Sequence, residues 1–212
     1  MFLSRIEIPW SMVRNPYDIH RGIWRLFPEA PGESRQSGTE QRVGFLFRRE
    51  AGLVGQSAPL LVQSRQPPQP ADGVKILGCR EFQPQPQVGQ RLAFVLTANP
   101  IKTIVDAEVA AKPNKRPNQQ GQYKCRVPLL DEEQQRRWLI RHLTAIADVE
   151  AMTVVPHEPL YFRKGQRGGK LVTVTFEGVL QVKAPDELVG LLENGIGPAK
   201  AFGCGLLLVR RI

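Results

Sequence analysis

Tyr17 and His20 stand three residues apart in NPYDIHRGIWRLFP, residues 15–28, in a chain that holds only three tyrosines and three histidines. An imidazole exchanges protons near neutral pH and a phenol hydroxyl can donate one, so the pair could serve acid–base chemistry. A spacing of i, i+3 places both on one flank of a helix. On a wheel advancing about 100° per residue, Ile19, Ile23, Leu26 and Phe27 share one arc that reads as the buried stripe. His20, Trp24 and Tyr17 occupy the adjoining arc, at the boundary of core and solvent, and Arg21 lies just beyond. Such a flank suits an anionic substrate lying across the helix. It equally suits polar tips of packing residues, a common use of Tyr and His at a core boundary. His142, inside a second amphipathic segment, and His157, before a Glu-Pro turn, read as structural or simply exposed.

A second constellation is GIGPAKAFGCGLL, residues 195–207. It has no GxxxxGK[ST] pattern, and Lys200 stands where the third glycine of GxGxxG would fall. The segment also follows a predicted helix rather than a strand, against the dinucleotide-binding context, so ATP and NAD are disfavoured. Gly195, Gly197, Gly203 and Gly205 around Lys200 could let a phosphate backbone approach main-chain N–H groups. They could as well form a tight turn packed on a neighbouring strand.

FRKGQRGGK, residues 162–170, carries Arg163, Lys164, Arg167 and Lys170 on a glycine-rich turn between strands. KPNKRPNQQGQYKCR, residues 112–126, is a second basic stretch without an acid, ending at Arg126. A run of this kind is usually a solvated loop. Two of them in a chain of net charge +9, with 29 basic and 20 acidic side chains, favour contact with a polyanion. Nucleic acid fits better than a membrane surface, because no apolar run approaches the roughly 20 residues that span a bilayer. Paired aromatics on a central strand, the signature of single-strand base stacking, are missing. A structured RNA helix or hairpin held by its phosphates is therefore expected, with Arg21 and Lys200 neutralising the phosphate at the site. A DNA-binding alternative lacks a recognisable groove-reading helix.

The N-terminus alternates like a strand and shows no signal-peptide run. Cys79, Cys125 and Cys204 lie far apart, without ligand spacing for zinc, and read as thiols of a reducing cytoplasm. No carboxylate cluster suited to a pair of magnesium ions is evident, so neither a metal nor a cofactor is expected.

These features need elements to hold them. Strands are predicted at 2–9, 42–50, 59–65, 91–99, 149–156 and 171–183, with a last one closing the chain. Helices are predicted from Pro16, with Asn15 as N-cap, and over 131–147 and 184–195. VKILGC, from Val74, is ambiguous, and 65–73 and 82–90 are proline-broken loops. The order fits an α+β fold of two tandem ferredoxin-like βαββαβ units. Residues 66–90 show no helical period where the first unit needs its second helix. The expected division is an N-terminal domain over 1–99 carrying the His20 helix, a basic linker over 100–123, and a C-terminal domain over 124–212.

NPYDIH, ANPIKT (98–103), KCRVPLL (124–130), FEGVL (176–180) and the glycine block together resemble the CasE family. Its members are CRISPR-associated endoribonucleases of the type I-E Cascade complex. The blocks span the chain, whereas loops 30–41, 50–58 and 112–123 carry little pattern. The resemblance implies tandem ferredoxin-like domains and metal-independent cleavage of CRISPR precursor RNA at the base of each repeat hairpin. It places His20 on the catalytic histidine, Tyr17 on a tyrosine beside it, and the four glycines on the family's glycine-rich loop. Residues 162–170 then correspond to a region that grips the RNA stem, and the partners are repeat RNA and other Cascade subunits. A non-catalytic RNA-hairpin-binding ribonucleoprotein subunit would share the charge, the loops and the fold; only the Tyr17–His20 flank argues for an enzyme.

Overall fold

Alternation decides the first element. In the computed structural model, β1 (Phe2–Ile8) buries Ile6 and Ile8 while Arg5 stays exposed, the two-residue period of a half-buried strand. The structure describes residues 1–28, 44–50, 52–53, 55–105, 123–164 and 167–212; the side chains of Lys164 and Arg167 also fall outside the description. A single turn, α1 (Trp10–Val13), leads into α2 (Pro16–Trp24). Asn15 caps α2 by accepting a hydrogen bond from the Tyr17 N–H at 3.4 Å, and Pro16 sits in the first turn, where its missing donor costs nothing.

The predicted stripe is the buried one. Ile19, Ile23, Leu26 and Phe27 pack on Phe45 and Phe47 of β2 (Phe45–Arg49) and on Leu60 and Val62 of β3 (Ala58–Ser64). The ambiguous VKILGC is resolved as part of β4 (Lys75–Glu81), which pairs with β1 at the sheet edge. All pairings are antiparallel, in the order β2-β3-β1-β4, which is ferredoxin-like. The return from β3 to β4 contains no helix. Pro67, Pro68 and Pro70 occupy it, and each removes a donor that a helix would need.

The second unit begins earlier than the sequence suggested. β5 (Arg91–Ala98), expected to close the first domain, lies inside the second sheet. After it come the hairpin β6 (Ile101–Val105) and β7 (Lys124–Pro128), then α3 (Glu132–Leu143), β8 (Ala147–Pro156) and a second hairpin, β9 (Leu160–Lys164) with β10 (Arg167–Leu171). β11 (Val174–Val182), α4 (Pro185–Asn194) and β12 (Leu207–Arg211) complete the chain. The sheet order is β12-β5-β11-β8, the same ferredoxin-like order, here with both helices present. Leu92, Phe94, Leu96 and Ala98 of β5 enter a core with Trp138, Leu139, Phe176, Leu180, Leu188 and Leu192. Alternation identifies such a strand but not the sheet that receives it.

The expected boundary at residue 99 is therefore corrected: the chain crosses between units through 82–90. That crossing is pinned where the Gly89 N–H donates to the Val182 carbonyl and the Val182 N–H to the Gln90 carbonyl. The expected linker over 100–123 starts instead as strand β6, and residues 124–126 belong to β7. The basic stretch 112–122 lies outside the described residues. Across the units, the buried Gln63 amide donates to the Leu192 carbonyl at 2.6 Å. No helix among the described residues is long and apolar enough to cross a membrane.

Candidate functional site

Three pieces distant in sequence meet at α2. The first is the flank of α2 itself. Tyr17 and His20 are half-buried on it, and the His20 ring packs 5.1 Å from Phe45 and 6.0 Å, edge-on, from Trp24. These aromatic walls limit how far the imidazole can swing while it stays at the surface. Arg21, one residue on, is exposed and pairs with Asp18 at 3.6 Å. An exposed pair of that kind holds weakly, so the guanidinium remains available to an anion.

The second piece is the glycine block, which forms the loop after α4. Gly195 (φ +70°) ends the helix, and a Cβ there would lie 2.7 Å from the Gly205 carbonyl oxygen and 2.8 Å from Leu46. At Gly197 (φ +77°) it would lie 2.7 Å from Trp138. Neither position admits another residue without displacement. Of the two sequence-based uses for these glycines, tight packing is what the geometry displays. Gly203 and Gly205 complete the same turn. Its product is a 3-10 turn, Lys200–Phe202, seated against α2 and β2. Lys200 is half-buried there, and desolvation lowers the pKa of its ammonium. Cys204, inside the loop, is buried, and burial pushes its thiol pKa up to about 12, so it serves as packing.

The third piece is the β9–β10 hairpin, which packs against α2 from the second unit. The Phe162 ring crosses Gly169 and meets Phe202 at 4.4 Å, joining the hairpin to the turn that carries Lys200. Tyr161, on the opposite side, is 67% exposed, with Lys170 Nζ 5.8 Å from its ring centre. Arg14, Asn15, Arg163 and Lys170 line a groove of about 660 Å³ between hairpin and helix.

Tyr17, His20, Arg21, Lys200, Arg163 and Lys170 thus come from elements that pack together. Lys164 and Arg167 belong to the same hairpin through their backbones, in register with each other. Arg126 does not join them in this way. It sits on β7 opposite Thr103, in the other hairpin. Two neighbours of this site escape the sequence reading: Tyr161 falls between the predicted strands, beside the basic turn that the structure resolves as β9 and β10, and Asn15 reads there only as a cap. His142 Nδ1 donates to the Trp138 carbonyl of its own helix at 2.8 Å. His157 bonds Thr175 Oγ1 at 2.7 Å, and its pKa is lowered by desolvation and then by Arg48. Among the described residues no group of three or more His, Cys, Asp or Glu is arranged to hold a metal ion.

The chain can be compared with known proteins over its whole length. The family described as CRISPR associated protein matches residues 1–211. The Cascade subunit CasE of Escherichia coli K12 is 39% identical over 208 residues, covering 98% of each chain. The crystal structure of Cas6e from Escherichia coli K-12 superposes with a TM-score of 0.81 at 37% identity, covering all of both chains. A structure of the CRISPR endoribonuclease Cse3 bound to a 19-nucleotide RNA gives 0.74 at 26% identity, over 99% of this chain and all of that one.

Proposed function

Because the chain belongs to the CRISPR-associated protein family, and within it to CasE, we propose that it is an endoribonuclease that cleaves CRISPR precursor RNA and works as a Cascade subunit. The observation that carries this reading is the convergence on α2. The Tyr17–His20 flank, a half-buried lysine and a basic hairpin meet there from both units. A single-purpose packing surface would not need a half-buried lysine on a turn seated against the helix that bears His20.

The cut falls within the repeat, at the base of its hairpin, with the stem held by β9–β10 through Arg163, Lys164, Arg167 and Lys170. The substrate's own 2′-hydroxyl is the nucleophile. As its oxygen bonds to the adjacent phosphorus, its proton goes to a base, the P–O5′ bond breaks, and the leaving oxygen receives a proton. The products are a 2′,3′-cyclic phosphate and a 5′-hydroxyl, and no metal is needed to supply the nucleophile. His20 provides the proton transfer, since an imidazole can both take and give a proton near neutral pH. Tyr17, whose phenol hydroxyl is a proton donor, orients the ribose or donates a proton rather than accepting one. Lys200 and Arg21 neutralise charge on the phosphate, and a lysine that is partly dehydrated before the RNA arrives has less water to shed. Arg126 contributes to RNA binding at a distance from the cut. Cleavage leaves the stem's phosphate contacts in place, so the mature guide RNA stays bound and enters Cascade in the cytoplasm.

The test is cleavage of repeat RNA in EDTA, with a single 2′-deoxy nucleotide placed just upstream of the cut in a parallel substrate. The all-ribose RNA should be cut without metal, and the deoxy RNA should bind nearly as well and stay whole. Cleavage of the deoxy substrate, or a strict need for magnesium, would overturn the mechanism. Tight binding with no cleavage of either RNA would leave a purely RNA-binding subunit as the better account.

A further inference from the structure

Asn15 caps α2, yet the cap uses only one of its hydrogen-bonding positions. Its Oδ1 accepts from the Tyr17 N–H at 3.4 Å and also from the Arg163 N–H at 3.2 Å. Its Nδ2 donates to the Arg163 carbonyl at 3.1 Å and to Asp18 Oδ2 at 3.1 Å. Two acceptor sites and two donors are all that a carboxamide has, and all four are engaged. Flipping the amide would set its NH₂ against two N–H groups and its oxygen against two acceptors, so this orientation is the one the neighbours permit.

Arg163 lies 148 positions away, in the hairpin of the other unit. It turns both its backbone groups toward Asn15, and the carboxamide answers both, as the facing residue of another strand would. The side chain therefore extends the ladder from the hairpin to the first turn of the helix that bears Tyr17 and His20. A cap alone could be made by Asp or Ser. Pairing with a backbone N–H and C=O together, while also holding Tyr17 N–H and Asp18, needs a donor and an acceptor on one rigid planar group.

We propose that Asn15 is a positioning residue for RNA cleavage. Its carboxamide locks the start of α2 to the backbone of the hairpin, so that a stem gripped by the hairpin presents its phosphate to the Tyr17–His20 flank. The proposal rests on the function proposed above. Phe162 against Phe202 ties the same hairpin to the Lys200 turn, and that turn rests on α2. Helix, hairpin and turn thus brace one another, and Asn15 is the polar joint of the frame. It acts through geometry: it orients neighbours that touch the RNA and moves no proton.

Asn15→Asp is the first test. Aspartate keeps an acceptor for the Tyr17 N–H and so keeps the cap, but it cannot donate to the Arg163 carbonyl. Displacement of reacting groups by about 1 Å can cost up to roughly a hundredfold in rate, so single-turnover cleavage at saturating protein should fall about 10- to 100-fold. RNA affinity is spread over many cations, so the Kd for the 2′-deoxy repeat RNA should stay within about threefold. The second variant, Asn15→Asp with Asp18→Asn, removes the repulsion between adjacent carboxylates and restores a donor next to residue 15. It leaves the bond to Arg163 broken. It should melt like the wild type and remain slow. Wild-type rates in the double variant, or a loss of affinity as large as the loss of rate, would overturn the proposal. His20→Ala measured alongside separates the two readings. Normal cleavage by His20→Ala removes the assignment of His20, and failure of the wild type to cut repeat RNA removes the proposed function itself; a dead His20→Ala beside an active wild type and a fast double variant removes only the role of Asn15.

Discussion

Among the described residues, one helix of nine residues covers the sheet of the first unit, and the return from β3 to β4 runs through prolines; in the second, two helices cover the sheet and two hairpins are added. The contrast is sharpest between α2 and α3. Each carries a histidine and a tryptophan four residues apart: His20 with Trp24, and Trp138 with His142. In α3 the tryptophan is buried and the histidine bonds its carbonyl, so the imidazole is satisfied within its own helix. In α2 the order is reversed. His20 lies against Phe45 and Trp24, on the helix that the Lys200 turn and the basic hairpin approach. The lightly covered unit leaves a helix flank accessible, and the more elaborate unit supplies the pieces that close around it. Two similar helix patterns acquire different uses from what is packed beside them.

The largest effect expected from this comparison separates the two histidines. His20→Ala should slow single-turnover cleavage by about 10²–10⁴-fold, the usual contribution of one positioned acid–base group. The Kd for repeat RNA should change by less than about threefold, because the phosphate contacts are distributed. His142→Ala should cleave like the wild type. Equal losses from both variants would erase the distinction between α2 and α3.

A smaller effect tests whether the second unit positions the first. Gly197→Ala would force a left-handed backbone and push a methyl toward Trp138, so stability should drop by about 1–3 kcal/mol in a chemical-denaturation curve. Cleavage should slow as well, because Lys200 rides on the same turn. A destabilised variant with full activity at low temperature would show that the turn does not place Lys200 for chemistry.

The smallest effect is a pH dependence at His157. Its folded pKa lies below the ordinary 6.5, through desolvation and the Arg48 charge, so the unfolded chain takes up a proton first as pH falls. Stability should be fully present above pH 6.5 and decline as pH drops toward the folded value. Exposure keeps the decline slight. His157→Gln should flatten it in melts between acidic and neutral pH, and an unchanged slope would assign the dependence to other groups.

Much of this was legible in the residues themselves. Apolar spacing in α2 identified its buried stripe, since one face of a helix must leave water whatever it packs against. Asn15-Pro16 marked the start of α2 because capping is local. The surplus of cations and the two basic segments pointed to a polyanion, and the histidine on a helix flank suggested what could be done to it. Partnership was not legible. A strand's alternation is the same in either sheet, so Arg91–Ala98 could not declare its membership; pairing with β11 and β12 did. Glycines that could cradle phosphate or pack a turn read alike until Leu46 and Trp138 were found against them. The chain by itself determined which side chains could transfer a proton or hold a phosphate, because those are properties of single residues and of spacing within one helix. Only the tertiary structure decided which of them meet, because the bond from Asn15 to Arg163 joins groups 148 positions apart, and no local rule links positions so far along the chain.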